Sequence, residues 1–514
     1  KTEGNPFFVS EFLRSLYSEN LLHFDGQQRS WQWNIAQIEA QNITNNVVEL
    51  LLLKLKKLPE NTQQLLQLAA CIGAEFDLET LATVFKQSPQ TVSPNLLAAV
   101  QAGLIQPISE LDENLLVQEY KFLHDRVQQA AYALIDESQR QVVHLQIGCN
   151  LLEKAGSESL SDWLFEIVDH LNHGIELVTD RAERDEIAKL NLQAGQKTKA
   201  AIAYTVAKNY LATAREWLAA YSWQINYDLT LVLYLETTEV AYLCGEFEQV
   251  ESWVTIVLQE AKTVLDTVKA YEIKIQTGIA QNQLLEAINT ALQVLQRLGI
   301  SFPATPIQAD IQLELDTIKS LFDDKPIEDL IHLPDMTEQD KLAAMRILSK
   351  IAIPAYIAAP NLMPLLTFKQ VNLSIQYGNA LASPFAYANF GLILCGIVGD
   401  IESGYQFGQL ALEILSQSNS HPLKARALNI VNNFIIHRKE HTRELLQPLL
   451  EGYQSGLETG DLEFAAYCAY TYCFQCYANG KELVEVERNM AIYGEIIYQI
   501  KQKTAYTWNR ILRQ

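Results

Sequence analysis

The residues best placed to do chemistry are His124 and Asp125, which follow a short apolar run ending at Phe122 and open the amphipathic segment Arg126 to Tyr132. A helix start gathers unpaired N–H groups and the positive end of the helix dipole, so an imidazole and a carboxylate there mark a place for an anion. The competing reading is a helix-start residue satisfied by its local backbone. Three other constellations invite metal chemistry. His437-Arg438-Lys439-Glu440-His441 matches H-x-x-E-H, which puts two zinc-binding histidines one helical turn apart beside a general-base glutamate. Its charged flanks and its position at an expected inter-helix turn oppose the continuous helix such a pair needs. Cys468, Cys473 and Cys476 could bring thiols together on one helix, but no fourth ligand lies close, and a free Cys is most often a small core residue. Glu166, His170 and His173 share a helical face that an ordinary solvated helix explains. No catalytic residue, metal site or resident cofactor is assigned to this chain.

The elements that must position these residues belong to a chain of 514 residues, too long for one core. A formal charge of -22 opposes a nucleic-acid partner, because affinity for phosphate backbones rests on Lys and Arg. Seven cysteines without a framework spacing suggest a reducing compartment, and the cytoplasm is the expected location. The most apolar stretch, Ile351 to Leu366, is interrupted by Pro354, Pro360 and Pro364, so no membrane span is expected. There is no initiator Met, and both ends read as the interior of longer elements, so a fragment of a longer protein is expected.

In chain order, Asn5 to about Leu22 has apolar residues at helical spacing, and Leu21 to Phe24 and Ser30 to Trp33 alternate around Asp25-Gly26 as a hairpin. Trp31 and Trp33 are expected to serve packing. Short helices follow over Val47 to Lys57, Pro59 to Cys71, Leu78 to Phe85 and Val92 to Ala102, then a hairpin from Leu104 to Phe122. Helices ending in such a hairpin describe a winged helix, although the helix before the wing holds no Lys or Arg with which to grip DNA. Beyond Ser138 the pattern is helical throughout, with small and aromatic residues recurring as in tetratricopeptide-like (TPR-like) pairs and with turns led by Gly245, Gly399, Gly460 and Gly480. Pro303 and Pro306 end one array, and an acidic connection follows from Phe322 to Thr337.

Two separated motifs give a family resemblance. Gly4-Asn5-Pro6 resembles the Gly-x-Pro element of STAND-type (AAA-like) signalling ATPases, and Phe122-Leu123-His124-Asp125 resembles their winged-helix Met-His-Asp element, with Leu123 in place of Met. The resemblance implies that Pro6 packs against adenine and that His124 reaches the β-phosphate of bound ADP, locking a resting state. The wording of the first half, including Asn46-Val47-Val48 and Leu68 to Gly73, looks most like large bacterial sensor kinases. These join a serine/threonine kinase domain, a STAND ATPase, helical repeats, a GAF domain and a histidine kinase. Kinase motifs and the phosphate loop G-x-x-x-x-G-K-[ST] do not occur in this chain, so ATP or ADP with Mg is expected to be held by the longer protein.

The resulting expectation is a mostly α chain, a winged helix followed by an α-solenoid. Residues 1–45 would end an ATPase domain, 46–137 form the winged helix, 138–305 a first set of repeats and 306–514 a second, incomplete one. Such a chain would couple the nucleotide state of an upstream ATPase domain in cis to a protein or peptide partner on the repeats, without nucleic acid or membrane. The alternatives are a repeat scaffold with no nucleotide role and a STAND-type transcriptional regulator.

Overall fold

The computed structural model describes residues 6–40, 47–114, 116–219, 221–322, 326–417 and 422–514. The chain divides into two compact units, Lys1–Leu233 and Tyr234–Gln514.

The first unit opens with helix α1 (Pro6–Ser18), whose apolar face buries Leu16, and the hairpin β1 (Leu22–Asp25) and β2 (Ser30–Trp33) in the register Leu22↔Trp33. Asp25 Oδ1 closes the turn by accepting from the N–H groups of Gln27 and Gln28 at 2.7 and 3.1 Å. Trp31 packs edge-on against Tyr17 and Phe24, yet Trp31 and Trp33 stay 49% and 57% exposed. The packing expected of them is therefore partial: both lie on one face of a two-stranded ribbon, and α1 covers only part of it. With Leu13, Tyr17 and Ile35 they line an open apolar groove of about 820 Å³.

After helix α2 (Ile35–Ala40), a second core forms. It is built from α3 (Val47–Lys56), α4 (Glu60–Ile72), strand β3 (Glu75–Asp77), α5 (Leu78–Phe85), α6 (Pro89–Gln101), β4 (Ile105–Pro107), β5 (Glu119–Phe122) and α7 (Asp125–Ala133). The antiparallel sheet has the order β3-β5-β4, with Phe76 opposite Tyr120 and Ile105 opposite Phe122. Leu51, Leu65, Leu81, Leu96, Phe76 and Phe122 close beneath it, each large side chain stabilising by about 1.5–3 kcal/mol. Asp77 caps α5 by accepting from the Thr80 N–H at 2.6 Å, and Gly103, with φ +67°, reverses the chain between α6 and β4. α6 spends its apolar residues Val92, Leu96 and Ala99 on this core.

Helix α8 (Glu137–Gly174) is long enough at 1.5 Å per residue to span roughly 57 Å if straight. It is not straight. His144 meets His170, and Gly148 lies against Leu171, so the run folds back on itself into two antiparallel arms. α9 (Arg181–Ala200) and α10 (Tyr204–Glu216) pack closely, because a Cβ on Gly195 would fall 2.7 Å from Leu211 Cγ. The short α11 (Ser222–Ile225) and α12 (Tyr227–Cys244) follow, and the boundary between the units falls within α12.

The second unit continues in helix pairs: α13 (Phe247–Glu260), α14 (Val264–Ala280), α15 (Leu284–Arg297), α16 (Gln308–Phe322), α17 (Gln339–Ala358), α18 (Leu362–Tyr377), α19 (Ser383–Ile393) and α20 (Ile401–Ser416). It ends with α21 (Lys424–Phe434), α22 (Leu446–Thr459), α23 (Leu462–Ala478), α24 (Leu483–Gln499) and α25 (Lys503–Arg513). Gly245, Gly399, Gly460 and Gly480, the expected turn leaders, all have φ between +70° and +85°. The core is continuous across residue 305, where the sequence suggests a division: Leu295 and Ile300 share one cluster with Met336, Ala344 and Leu366. Pro354 sits inside α17, while Pro360 falls between α17 and α18. Phe368, Tyr387, Phe390 and Phe407 form an aromatic centre, with Phe390 edge-on to Phe368 and Phe407 at 5.7 and 4.8 Å. Beside it α19 and α20 touch backbone to backbone, since a Cβ on Gly404 would fall 2.8 Å from the Gly391 carbonyl oxygen.

The architecture is mostly α throughout. Among the described residues, β structure after residue 140 is limited to the isolated bridge Asp335↔Asn379, and no helix is long and apolar enough to cross a membrane.

Candidate functional site

His124 stands at the seam between the sheet and α7. Strand β5 delivers it, because pairing with β3 and β4 holds Tyr120 and Phe122 inward and leaves Leu123 and His124 exposed beyond the sheet. Its backbone is extended (φ -160°, ψ 148°), and its Nδ1 accepts from the Arg126 N–H at 3.1 Å. That bond satisfies one of the helix-start donors and makes Nε2 the protonated nitrogen of the neutral ring, a donor of the polarity a phosphate oxygen needs. Asp125 occupies the first turn of α7, and both residues are exposed. The bond to Arg126 is the local cap that the sequence allows.

Pro6 is the first residue of α1 and is exposed; Gly4 and Asn5, the rest of its motif, lie outside the described residues. α1 is tied to the next core through Glu11, which is only 4% exposed and accepts from Lys54 Nζ and Arg14 Nη1, each at 2.8 Å. The helix that begins at Pro6 is thus anchored on α3, which in turn packs against α7.

The far end of α7 is tied to α8. Tyr132 Oη lies 3.2 Å from His144 Nε2, and His144 Nδ1 lies 2.9 Å from His170 Nδ1. Both histidines are buried, and burial holds each down at about 4, the neighbouring histidines adding to the shift. His173 stacks on His144 with centroids 4.7 Å apart. A solvated face is therefore the wrong description of His170; the reversal of α8 turns it inward. Glu166 is half-buried, and burial raises its carboxyl above the usual range, with Asp77 adding to it.

The H-x-x-E-H segment occupies two short 3-10 turns, Ile436–Arg438 and Thr442–Leu445, between α21 and α22. Glu440 is engaged by the Tyr405 hydroxyl and by Gln409, and Lys439 pairs with Glu402. His441 repeats the geometry of His124: its Nδ1 accepts from the Arg443 N–H at 3.1 Å. Cys468, Cys473 and Cys476 are buried along α23; Cys468 donates to the Ala425 carbonyl, while Cys473 and Cys476 pack with Val486 and Met490. Burial pushes the Cys468 and Cys473 thiols up to about 12, which keeps them protonated small apolar groups. Among the described residues no group of three or more potential ligands is arranged to hold a metal ion.

No known protein-family profile matches the chain. It is similar to the hybrid signal transduction histidine kinase G of Dictyostelium discoideum, 26% identical over 587 residues, an alignment covering 98% of this chain and 17% of that protein. The chain therefore spans under a fifth of the length of this curated relative. Among solved structures it is similar to a signal transduction ATPase with numerous domains (STAND) bearing a tetratricopeptide repeat sensor, from Pyrococcus horikoshii. That match has 12% identity and a TM-score of 0.44, and covers 91% of this chain and 61% of the other.

Proposed function

We propose that this chain is a regulatory segment of a multi-domain signal-transduction kinase. In this reading residues 46–137 act as a winged helix that senses the nucleotide state of an upstream STAND ATPase domain in cis, and the helical pairs bind a protein or peptide partner. Similarity to a signal transduction histidine kinase along 98% of the chain carries the signalling part. The nucleotide part rests on His124, an exposed imidazole at the start of α7 within the string that resembles the Met-His-Asp element. Pro6 would meet the adenine, as the family resemblance implies. The residues present suit contact with a phosphate offered from another domain. They do not suit holding ATP or ADP with Mg, because the phosphate loop does not occur in this chain. Serine/threonine and histidine kinase activity would belong to other parts of the longer protein. Partner binding would shift the switch through its differential affinity for the two states.

A repeat scaffold without a nucleotide role is the second reading, and the matching cap at His441 favours it, because an imidazole makes the same bond there outside the motif. The chain thereby supplies its own control. In the full-length protein, His124→Ala is expected to speed release of a fluorescent ADP analogue roughly ten- to a hundredfold, the value of a charge-assisted hydrogen bond of about 1.5–3 kcal/mol. His441→Ala removes an equivalent cap, costs about 1 kcal/mol locally, and should leave ADP release unchanged. Equal release rates in wild type and both variants would leave the scaffold reading standing in place of the switch. A STAND-type transcriptional regulator has less support, since the sequence of α6, PQTVSPNLLAAVQ, has no Lys or Arg.

A further inference from the structure

A groove of about 610 Å³ runs across the second unit, walled by α14, α17, α21 and α23, the volume being that of ordinary ligand sites. Its lining holds three cations, Arg346, Lys350 and Arg426, against one carboxylate, Glu463. Their counter-ions are recessed behind them. Glu272, 5% exposed, accepts from Arg346 Nε at 2.8 Å with one oxygen and lies 3.9 Å from Lys350 Nζ with the other. Asp461 takes Arg426 in a two-pronged pair at 2.6 and 3.5 Å, with the guanidinium over the Phe464 ring. Glu463 accepts from the Tyr467 hydroxyl at 3.1 Å.

The three cations are balanced in number by Glu272, Asp461 and Glu463, but Glu272 and Asp461 are the more deeply buried partners, so the groove meets the cations first. Lys350 is half-buried, and desolvation lowers its affinity for a proton; Lys269 and Arg426 lower it further, while Glu272 and Glu239 act the other way. An anion in the groove would favour the charged form of Lys350. Beside the cations the groove is apolar, and two of its side chains, Ile357 and Leu381, are 64% and 61% exposed, while Ile353 falls between Lys350 and Ile357 along α17. In a chain of net charge -22, a lining of three cations to one acid is a local inversion of sign.

We infer that this groove binds an acidic peptide segment of a partner protein, with a carboxylate between Arg346 and Lys350 and a neighbouring apolar side chain on Ile353, Ile357 and Leu381. The inference rests on the partner-binding half of the reading above and is independent of His124. An extended peptide suits the groove better than a small free anion, because the exposed apolar residues continue past the cations and would be left uncovered by the anion alone.

The test uses the purified chain and fluorescein-labelled hexapeptides of Leu, Ile and Val around a single Glu or Asp, each paired with its Gln or Asn counterpart. Fluorescence polarisation is expected to show the acidic peptides binding at least tenfold more tightly than their amides. Lys350→Met and Arg346→Gln should each remove that preference. Arg346 is half exposed, so its variant keeps the fold, and circular dichroism verifies this for both. Arg513→Gln, which breaks the exposed pair with Glu487 on the last two helices, should change nothing. Absence of discrimination between acid and amide, discrimination that survives in both variants, or competition by free glutarate as strong as by peptide would each overturn the assignment. A partner found to bind elsewhere on the repeats would overturn it too, yet leave the regulatory reading and its ADP-release test intact.

Discussion

Phe390→Ala is expected to destabilise the second unit by about 3–5 kcal/mol, the range for truncating a buried aromatic ring. The ring is 1% exposed and sits edge-on to Phe368 and Phe407, so its removal deletes two aromatic pairs, each contributing about 0.5–1.5 kcal/mol, and leaves a cavity. The cavity has little means of closing, because α19 and α20 are already in backbone contact at Gly391 and Gly404. A chain of two units does not unfold as one, so a single melting temperature is a poor readout. Hydrogen exchange followed by mass spectrometry resolves the effect by segment. Amides of α18 to α21 should exchange roughly a hundred- to a thousandfold faster, and those of α4 to α7 at their former rate. A loss under tenfold, or one shared evenly by both units, would refute the view of this aromatic cluster as a local keystone.

The second large effect is acid sensitivity at the seam of α7 and α8. Unfolded, His144 and His170 take up protons near 6.5; folded, burial holds each at about 4. Between those values the unfolded chain binds more protons, so stability is complete above 6.5 and falls with pH until it levels near 4. At pH 5.5, one unit into that window, each group costs about 1.4 kcal/mol and the pair about 3 kcal/mol, titrating as a unit because the two rings share a contact of 2.9 Å. Geometry gives the same sign. Neutral rings can pair as one donor and one acceptor across Nδ1, while two imidazolium ions would set N–H against N–H. Arg140, over the Tyr132 ring at 5.0 Å, adds positive charge, and His173 stacks on His144, while the Asp169 carboxylate accepts from Tyr210. Denaturation at pH 7.5 and 5.5 should show a loss in wild type that is about halved in His170→Gln. Identical losses in the two proteins would mean the pair is not protonated in that interval.

How much of this was legible beforehand differs by the range of the contact. The hairpin around Asp25-Gly26, the helices of the second core, the strand pair Ile105–Pro107 and Glu119–Phe122 and the turn glycines are local patterns, and the structure reproduces them within a few residues. β3 escaped notice because three residues cannot display an alternation. The histidine pair escaped because helical periodicity, continued through Gly156-Ser157, placed His170 on an outer face; one reversal of direction exchanged inside for outside. The groove cations escaped for a stronger reason. Arg346, Arg426 and Glu272 come from three different helices and Asp461 from the cap of a fourth, and nothing in the spacing of any one of them marks the meeting place. His124 was found because its signal is a contiguous string, whereas its cap bond to Arg126 required coordinates.

The backbone contact between Gly391 and Gly404 also bears on how this chain tolerates change over generations. Large apolar side chains in a core trade places at modest cost when their total volume is kept, so drift at Leu410 or Val431 has many permitted outcomes. A residue without a side chain has no volume to trade: even alanine at Gly404 must push apart two helices whose other neighbours are already packed. The slowest-changing positions of this helix pair should accordingly be among its smallest residues, and descendants that have lost most of their sequence likeness would still carry the pair of glycines.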